Sequence, residues 1–142
     1  MVKKIIGIIP ARLGSKRLRE KNILPINGKP MLHWTIDAAL NSKYFSRENL
    51  FVSSESQKIL ECVGDKCTKI VRPDFLAEDH VWLQDVVNHL LENVVLGDDD
   101  LVVILQANSP EIMTSITEVK QTIMGSLWLI GLMFTPRMII ER

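Results

Sequence analysis

The feature that most constrains this chain is a series of short apolar runs that alternate with amphipathic stretches. Four runs have the composition of buried strands, at residues 4–9 (KIIGII), 50–53 (LFVS), 68–71 (TKIV) and 101–105 (LVVIL). The run at 101–105 is apolar at every position, which is typical of a central parallel strand covered on both faces. We therefore expect a sheet with helices packed on both of its faces.

Helical periodicity fills the segments between these strands. The clearest pattern runs from Leu83 to Val94, with apolar residues at i, i+3, i+4, i+7, i+8 and i+11. Shorter patterns are carried by Leu32, Ile36, Ala39 and Leu40, by Ile59, Leu60 and Val63, and by Ile116, Val119 and Ile123. Because strands and helices alternate, the sequence predicts an α/β fold of three layers (αβα) with a mostly parallel sheet and right-handed crossovers.

Length, charge and cysteine content exclude several classes of protein. The 142 residues fit one domain, or part of one, and can bury a core. Because 17 basic residues balance 17 acidic ones, no overall basic surface for nucleic acid is expected. Two cysteines cannot build a disulfide framework, and the first apolar run is too short for a signal peptide or a membrane span. We therefore expect a cytoplasmic protein with neither nucleic acid nor membrane as a partner.

Residues 11–30 (ARLGSKRLREKNILPINGKP) follow the first strand and show no clear periodicity. Long loops of this kind are uncommon in compact domains and are usually functional. The loop has a single acid, Glu20, against six basic residues: Arg12, Lys16, Arg17, Arg19, Lys21 and Lys29. Since open α/β sheets bind ligands at the carboxyl ends of their strands, it suits a polyanion such as a nucleoside triphosphate. The alternative is a solvated charge run, and the loop contains neither a Walker A motif nor GxGxxG.

The end of the chain departs from this pattern. Residues 126–134 (SLWLIGLMF) are strongly apolar, too short for a transmembrane helix, and form a candidate fifth strand. With no helix after it, such a strand would be an exposed edge. We therefore expect either a chain cut short or an end that docks on a partner subunit.

The loop resembles the N-terminal signature of the acylneuraminate cytidylyltransferases, the CMP-sialic acid synthetase family. Residues 8–32 (IIPARLGSKRLREKNILPINGKPML) are similar to the family pattern "IIPARxGSKxxxxKNxxxxxGKPLI". Later blocks follow in family order at 34–45 (WTIDAALNSKYF), 51–56 (FVSSES), 71–79 (VRPDFLAED) and 105–110 (LQANSP). The resemblance covers roughly residues 4–124 and implies a Rossmann-like fold of the nucleotide-diphospho-sugar transferase type.

The resemblance also implies an activity and its substrates. Family members transfer CMP from CTP to the anomeric hydroxyl of a sialic-acid-like nonulosonic sugar and release pyrophosphate. Catalysis of such a transfer is chiefly positioning and neutralisation of phosphate charge. A ketodeoxyoctonate cytidylyltransferase, which shares the opening loop, is an alternative. A second alternative is a catalytically incompetent remnant that retains only nucleotide or partner binding.

Site residues follow from the resemblance position by position. Arg12 and Lys21 match the arginine and lysine that contact the triphosphate, and they are the candidate catalytic residues. The candidate nucleotide-binding residues are Arg12, Ser15, Lys16, Lys21, Asn22, Arg72 and Gln106. For Arg72 the alternative is a surface ion pair with Asp74 or Glu78. For Gln106 it is a side chain bonded to the loop backbone.

Several positions depart from the family pattern. Leu13 replaces a glycine of "ARGGSK", and Glu55 stands where the family tends to have aspartate. The serine-rich segment that holds the pyrimidine is replaced by residues 79–83 (DHVWL), so Val81 and Leu83 cannot supply hydroxyls and base recognition should be weakened or rearranged. His80 and Trp82 can either stack on the base or pack at a helix start, and packing is the favoured interpretation.

The family's catalytic Mg²⁺, its aspartate pair and its dimerisation insertion cannot be assigned to these residues. The chain is therefore interpreted as one nucleotidyltransferase-type domain, 1–142, incomplete at the C-terminus. No metal ligand is assigned, because Asp98, Asp99 and Asp100 precede a strand and are interpreted as a solvated turn. We expect Mg²⁺ as cofactor and a homodimer for the full-length family, and no useful turnover from these residues alone.

Overall fold

Strands and helices alternate in the computed structural model, which describes residues 4–14, 18–95, 100–107, 128–132 and 138–141. The strands are β1 (Ile5–Pro10), β2 (Pro25–Ile26), β3 (Lys29–Pro30), β4 (Leu50–Ser54), β5 (Thr68–Val71), β6 (Leu101–Leu105), β7 (Trp128–Leu132) and β8 (Met138–Glu141). The helices are α1 (Met31–Asn41), α2 (Gln57–Val63) and α3 (Leu83–Asn93), with 3-10 turns at Lys21–Ile23 and Asp74–Ala77. In this described part, no helix is long and apolar enough to cross a membrane.

Six of these strands form one sheet in the order β5-β4-β1-β6-β7-β8. Every neighbouring pair is parallel except β7 and β8, which are antiparallel. β1 lies between β4 and β6, with Gly7 opposite Leu50 on one side and opposite Val103 on the other. The predicted α/β fold with a mostly parallel sheet is therefore confirmed.

Both faces of the sheet are buried, and successive residues of β1 serve opposite faces. Ile9 belongs to the larger core cluster, with Leu32 and Ile36 of α1 and Ile59 of α2. Ile6 and Ile8 belong to the second cluster, on the side where Val87 and Leu90 of α3 pack. The apolar stripes on the helices cover the two faces, which produces the three-layer arrangement.

The apolar tail segment forms a strand but does not end the sheet. β7 pairs with β6 on one side and with β8 on the other, from Trp128 opposite Glu141 to Gly131 opposite Met138. The expectation that this segment would be the exposed edge strand is therefore wrong, because the chain returns and covers it. The helix expected around Ile116, Val119 and Ile123 lies outside the described residues.

Much of the loop expected to be structureless is ordered by local turns. A two-residue hairpin joins β2 to β3, with Asn27 and Gly28 at φ of 49° and 79°. Positive φ at both central residues is the type I′ geometry that an Asn-Gly pair favours. Ahead of it, Glu20 also has a positive φ, 54°, where the chain turns into the 3-10 helix that begins at Lys21.

Asp37 of α1 fixes this hairpin to the body of the domain. Its carboxylate accepts hydrogen bonds from Lys29 of β3 (2.7 Å) and from Lys66 after α2 (2.8 Å). Partial burial alone would raise the pKa of Asp37, but the two lysines outweigh it, so the pKa lies below its usual value. The pair of contacts ties the loop, α1 and the α2–β5 connection together.

We predict that Gly7→Ala destabilises the fold. A Cβ at this position would lie 2.7 Å from Phe45 Cε1 and 2.9 Å from Leu50 Cδ1, both in a packed interior. Overpacking of this kind costs about 1–3 kcal/mol, measurable as a lower denaturation midpoint. Gly14→Ala is the matched control, because no atom of the described residues lies within 4 Å of its added Cβ. An unchanged midpoint for Gly7→Ala would contradict the packing at this position.

Candidate functional site

A pocket of about 400 Å³ opens at the carboxyl ends of β1, β5 and β6. One wall comes from the loop after β1 and the 3-10 turn that follows it, and another from the segment between β5 and α3. The lining residues are Pro10, Arg12, Lys21, Asn22, Arg72, Leu76, Ala77, Glu78, Asp79, Val81, Val86, Ile104, Leu105, Gln106 and Ala107. Of the seven candidate binding residues, five line this pocket: Arg12, Lys21, Asn22, Arg72 and Gln106.

Arg12 follows β1 and reaches across the pocket to the opposite wall. Its Nη1 donates to a carboxylate oxygen of Asp79 at 2.5 Å and to the carbonyl of Ala77 at 3.3 Å. The ion pair is open to solvent, with side-chain exposures of 37% for Arg12 and 47% for Asp79. An exposed pair contributes little net stability, so its guanidinium can exchange Asp79 for another anion.

Lys21 and Asn22 line the pocket from the 3-10 turn, and Lys21 is the more exposed of the two. Asn22 is buried, and its Nδ2 donates to the carbonyl of Arg12 at 3.0 Å. This bond fixes the backbone from which the Arg12 side chain projects. The preceding residue, Glu20, bonds Lys58 of α2 at 2.8 Å, and this contact lowers the pKa of the Glu20 carboxyl.

Arg72 follows β5 and is the most buried cation of the pocket. Its side chain is only 3% exposed, and its Nη2 lies 3.5 Å from Oε2 of Glu55. Burial lowers the pKa of Arg72 from its usual value, and the nearby Glu55 carboxylate opposes that shift. The alternative of a surface ion pair with Asp74 or Glu78 is therefore wrong, because the side chain points inward.

Gln106 follows β6 and lines the pocket beside Ala107. Thr35 of α1, a buried residue, donates its hydroxyl to the carbonyl of Ala107 at 2.9 Å and lies 3.4 Å from that of Gln106. The strand end is therefore fixed through its main chain, and the Gln106 side chain stands at the pocket wall.

The remaining wall is apolar and includes a position that departs from the family pattern. Val81 lines the pocket together with Leu76 and Val86, and the side chain of Leu83 lies outside the described part. Trp82 is 78% exposed, so the expectation that it packs at the start of α3 is wrong. His80 is also exposed, and its Nε2 lies 3.4 Å from a Glu78 carboxylate oxygen.

Two of the candidate binding residues, Ser15 and Lys16, lie outside the described residues, as do Asp98 and Asp99. Asp100 is buried, so the interpretation of this acid as part of a solvated turn is wrong. Among the described residues, no group of three or more His, Cys, Asp or Glu side chains could hold a metal ion. Because Mg²⁺ at nucleotide sites is usually held by one or two carboxylates together with the substrate phosphates, Mg²⁺ as a cofactor stays a prediction.

Asp79 and Glu55 are the residues that sequence reasoning missed as parts of the site. Each pairs with a candidate arginine far from it in sequence, Asp79 with Arg12 and Glu55 with Arg72. Glu55 lies in the block 51–56 and Asp79 in the block 71–79, and neither is a candidate site residue in the sequence analysis. No local sequence pattern identifies either partner, because the sheet topology alone brings each acid to its arginine.

The comparisons with known proteins agree on one family. A family model described as Cytidylyltransferase matches residues 6–124. An N-acylneuraminate cytidylyltransferase of Streptococcus agalactiae serotype V is 39% identical over 108 residues, or 75% of this chain and 26% of that protein. An 8-amino-3,8-dideoxy-manno-octulosonate cytidylyltransferase of Shewanella sp. (strain ANA-3) is 35% identical over 113 residues, 79% of this chain and 44% of that protein. The match therefore spans about a quarter of the first relative's length and less than half of the second's.

A solved structure gives the same picture for the fold. The structure of CMP:2-keto-3-deoxy-manno-octonic acid synthetase complexed with CTP matches with a TM-score of 0.67 at 23% identity. The match covers 84% of this chain and 48% of that one. At this identity the likeness shows that the fold is shared.

We predict that Asp79→Asn strengthens the binding of a phosphate anion at Arg12. The carboxylate competes with the anion for the guanidinium, and removing its charge removes a contribution of up to about 1 kcal/mol. The dissociation constant for inorganic tripolyphosphate, measured by calorimetry, should therefore fall about two- to fivefold. Asp74→Asn, a change at an exposed acid outside the pocket, is the matched control. Weaker binding by Asp79→Asn would mean that Asp79 holds Arg12 in its binding position rather than competing for it.

Proposed function

This chain belongs to the cytidylyltransferase family, and we propose on that basis that its pocket binds CTP for transfer of CMP to a sugar acid. In that reaction a sugar hydroxyl attacks the α-phosphorus. The bond from that phosphorus to the pyrophosphate oxygen breaks, and pyrophosphate leaves with the electron pair of that bond. The hydroxyl proton is lost to solvent or to a base. The proposal extends to the whole protein, of which this chain supplies the nucleotide pocket.

The observation that carries the proposal is the convergence of Arg12, Lys21, Asn22, Arg72 and Gln106 on one pocket. These residues come from four separate parts of the chain and meet at the carboxyl edge of a parallel sheet. Ligands of open α/β sheets bind at this edge. A surface charge run would not place its cations around a common cavity.

The residues have distinct parts in this proposal. Arg12 and Lys21 stand at the pocket wall formed by the loop after β1, where cationic groups can neutralise the triphosphate and the charge that develops during transfer. Arg12 can bind phosphate oxygens with two parallel N–H donors. Ser15 and Lys16 are proposed to join them on the basis of the family pattern. Asn22 holds the Arg12 backbone in place.

The sugar acceptor is proposed to be a nonulosonic acid of the sialic acid type. The relatives named above carry different sugar acids in their names, so an octulosonate-type acid is the second candidate. The Mg²⁺ expected from the resemblance and a homodimeric assembly stay predictions.

CTP binding tests the proposal directly. We predict that Arg12→Ala weakens CTP binding by about 1.5–3 kcal/mol, the scale of a hydrogen bond to a charged group. Arg12→Ala/Lys21→Ala should weaken it further, as measured by isothermal titration. Arg47→Ala/Lys69→Ala removes the same two residue types from exposed positions outside the pocket and should bind CTP as the parent does.

Equal CTP affinity for the parent and the pocket double variant would contradict the proposal. Binding without pyrophosphate release by the whole protein, when CTP, Mg²⁺ and N-acetylneuraminic acid are supplied, would favour the alternative of a protein that retains only nucleotide binding.

We also predict poor discrimination between CTP and UTP. Val81 lies at the pocket wall where the family pattern has hydroxyl-bearing residues, and an apolar side chain cannot bond the exocyclic group that distinguishes the two bases. Sites without a hydrogen-bonding partner discriminate weakly. The ratio of the two dissociation constants should stay below about a hundredfold, or about 3 kcal/mol. A larger preference for CTP would show that another residue reads the base.

A further inference from the structure

Glu55 contacts two separate parts of the pocket with the two oxygens of one carboxylate. It directly follows β4, and its Oε1 accepts the backbone N–H of Leu13 at 2.7 Å. Its Oε2 lies 3.5 Å from Nη2 of Arg72. Leu13 belongs to the loop after β1 and Arg72 follows β5, so this side chain bridges the strand ends on either side of its own strand.

Backbone bonds already fasten both neighbours to β4. The N–H of Ala11 donates to the carbonyl of Ser53 at 2.9 Å, and the N–H of Arg72 donates to the carbonyl of Ser54 at 3.0 Å. The sheet edge therefore does not need the Glu55 side chain to bring these segments together. What the carboxylate adds is the orientation of the loop at Leu13 and of the Arg72 guanidinium.

The Arg72 side chain depends on this carboxylate for its counter-charge. A buried guanidinium without a paired anion is strongly disfavoured. Within the described residues, Arg72 Nε and Glu55 Oε2 are buried and make no hydrogen bond. Arg72 also lines the pocket, so the carboxylate that balances its charge sets how the guanidinium is placed at the pocket wall.

We propose that Glu55 is a positioning residue. It fixes the position of the loop after β1, which is proposed to bind phosphate, relative to the Arg72 side chain. This inference rests on the proposed function, because it assigns the loop side of the pocket to the triphosphate and the Arg72 side to the nucleoside. Glu55 touches neither part of the nucleotide in this arrangement. It acts through Leu13 and Arg72.

The experiment compares Glu55→Gln, Glu55→Asp and Glu55→Ala by calorimetry, with CTP and inorganic tripolyphosphate as separate ligands. Glutamine still offers an oxygen to the Leu13 N–H but removes the charge that faces Arg72. Glu55→Gln should therefore weaken CTP binding about tenfold and change tripolyphosphate binding by less than about twofold. Glu55→Ala removes both contacts and should weaken both ligands. Glu55→Asp, which keeps the charge, should recover part of the CTP affinity lost in Glu55→Gln.

Glu61→Gln is the matched control, since Glu61 is an exposed acid on α2 outside the pocket. All titrations are done well below the unfolding midpoint of each variant, so a merely structural role for Glu55 would lower the midpoint and leave both affinities unchanged. If Glu55→Ala fails to fold, the Gln and Asp variants still carry the comparison.

Two results overturn the inference, and they are distinguishable. If the parent binds CTP and Glu55→Gln binds both ligands as the parent does, Glu55 has no positioning role while the proposed function stands. If the parent itself does not bind CTP, the proposed function fails and the inference fails with it.

Discussion

The parallel pairing of β1 with both of its neighbours is the constraint on which the site depends. Pro10 lies opposite Ser53 of β4, and Ser54 lies opposite Val71 of β5, so three chain segments leave the sheet at the same edge. Because the strands run in one direction, residues that follow them converge without any direct sequence proximity. Gly7 of β1 leaves room for the side chains of Phe45 and Leu50, which occupy the space where its Cβ would stand.

The two arginines of the pocket are held by ion pairs of different strength. Arg72 is therefore fixed on its carboxylate, whereas Arg12 can exchange its carboxylate for another anion. Breaking a buried pair leaves an uncompensated charge and costs about 3–5 kcal/mol, whereas an exposed pair contributes about 0–1 kcal/mol. The Arg72–Glu55 pair is buried, and the Arg12–Asp79 pair is not. An incoming phosphate can therefore displace Asp79 from Arg12, while Arg72 keeps its carboxylate and its orientation.

Periodicity and apolar runs predicted α1 to α3 and five of the six strands of the sheet, because the strands are buried and each helix has a defined apolar face; β8 was not predicted. The Asn27-Gly28 pair is a sequence signal for a type I′ hairpin. It was not used, because residues 11–30 show no periodicity and were therefore expected to form a long loop. The acidic partners were beyond reach for a physical reason. Asp79 is 67 residues from Arg12 along the chain, and no local pattern encodes a contact that only the sheet topology creates.

The excess positive charge of residues 11–30 is therefore partly neutralised by acidic side chains in the folded protein. Lys29 bonds Asp37 and lies 3.9 Å from the ring centroid of Trp34, which commits this cation to the fold. Glu55, which follows β4, and Asp79, which precedes α3, come to face the two arginines. For the proposed binding of a triphosphate, the arginine that can exchange its carboxylate for a phosphate is therefore the solvent-exposed Arg12, because the buried Arg72 keeps its pairing with Glu55.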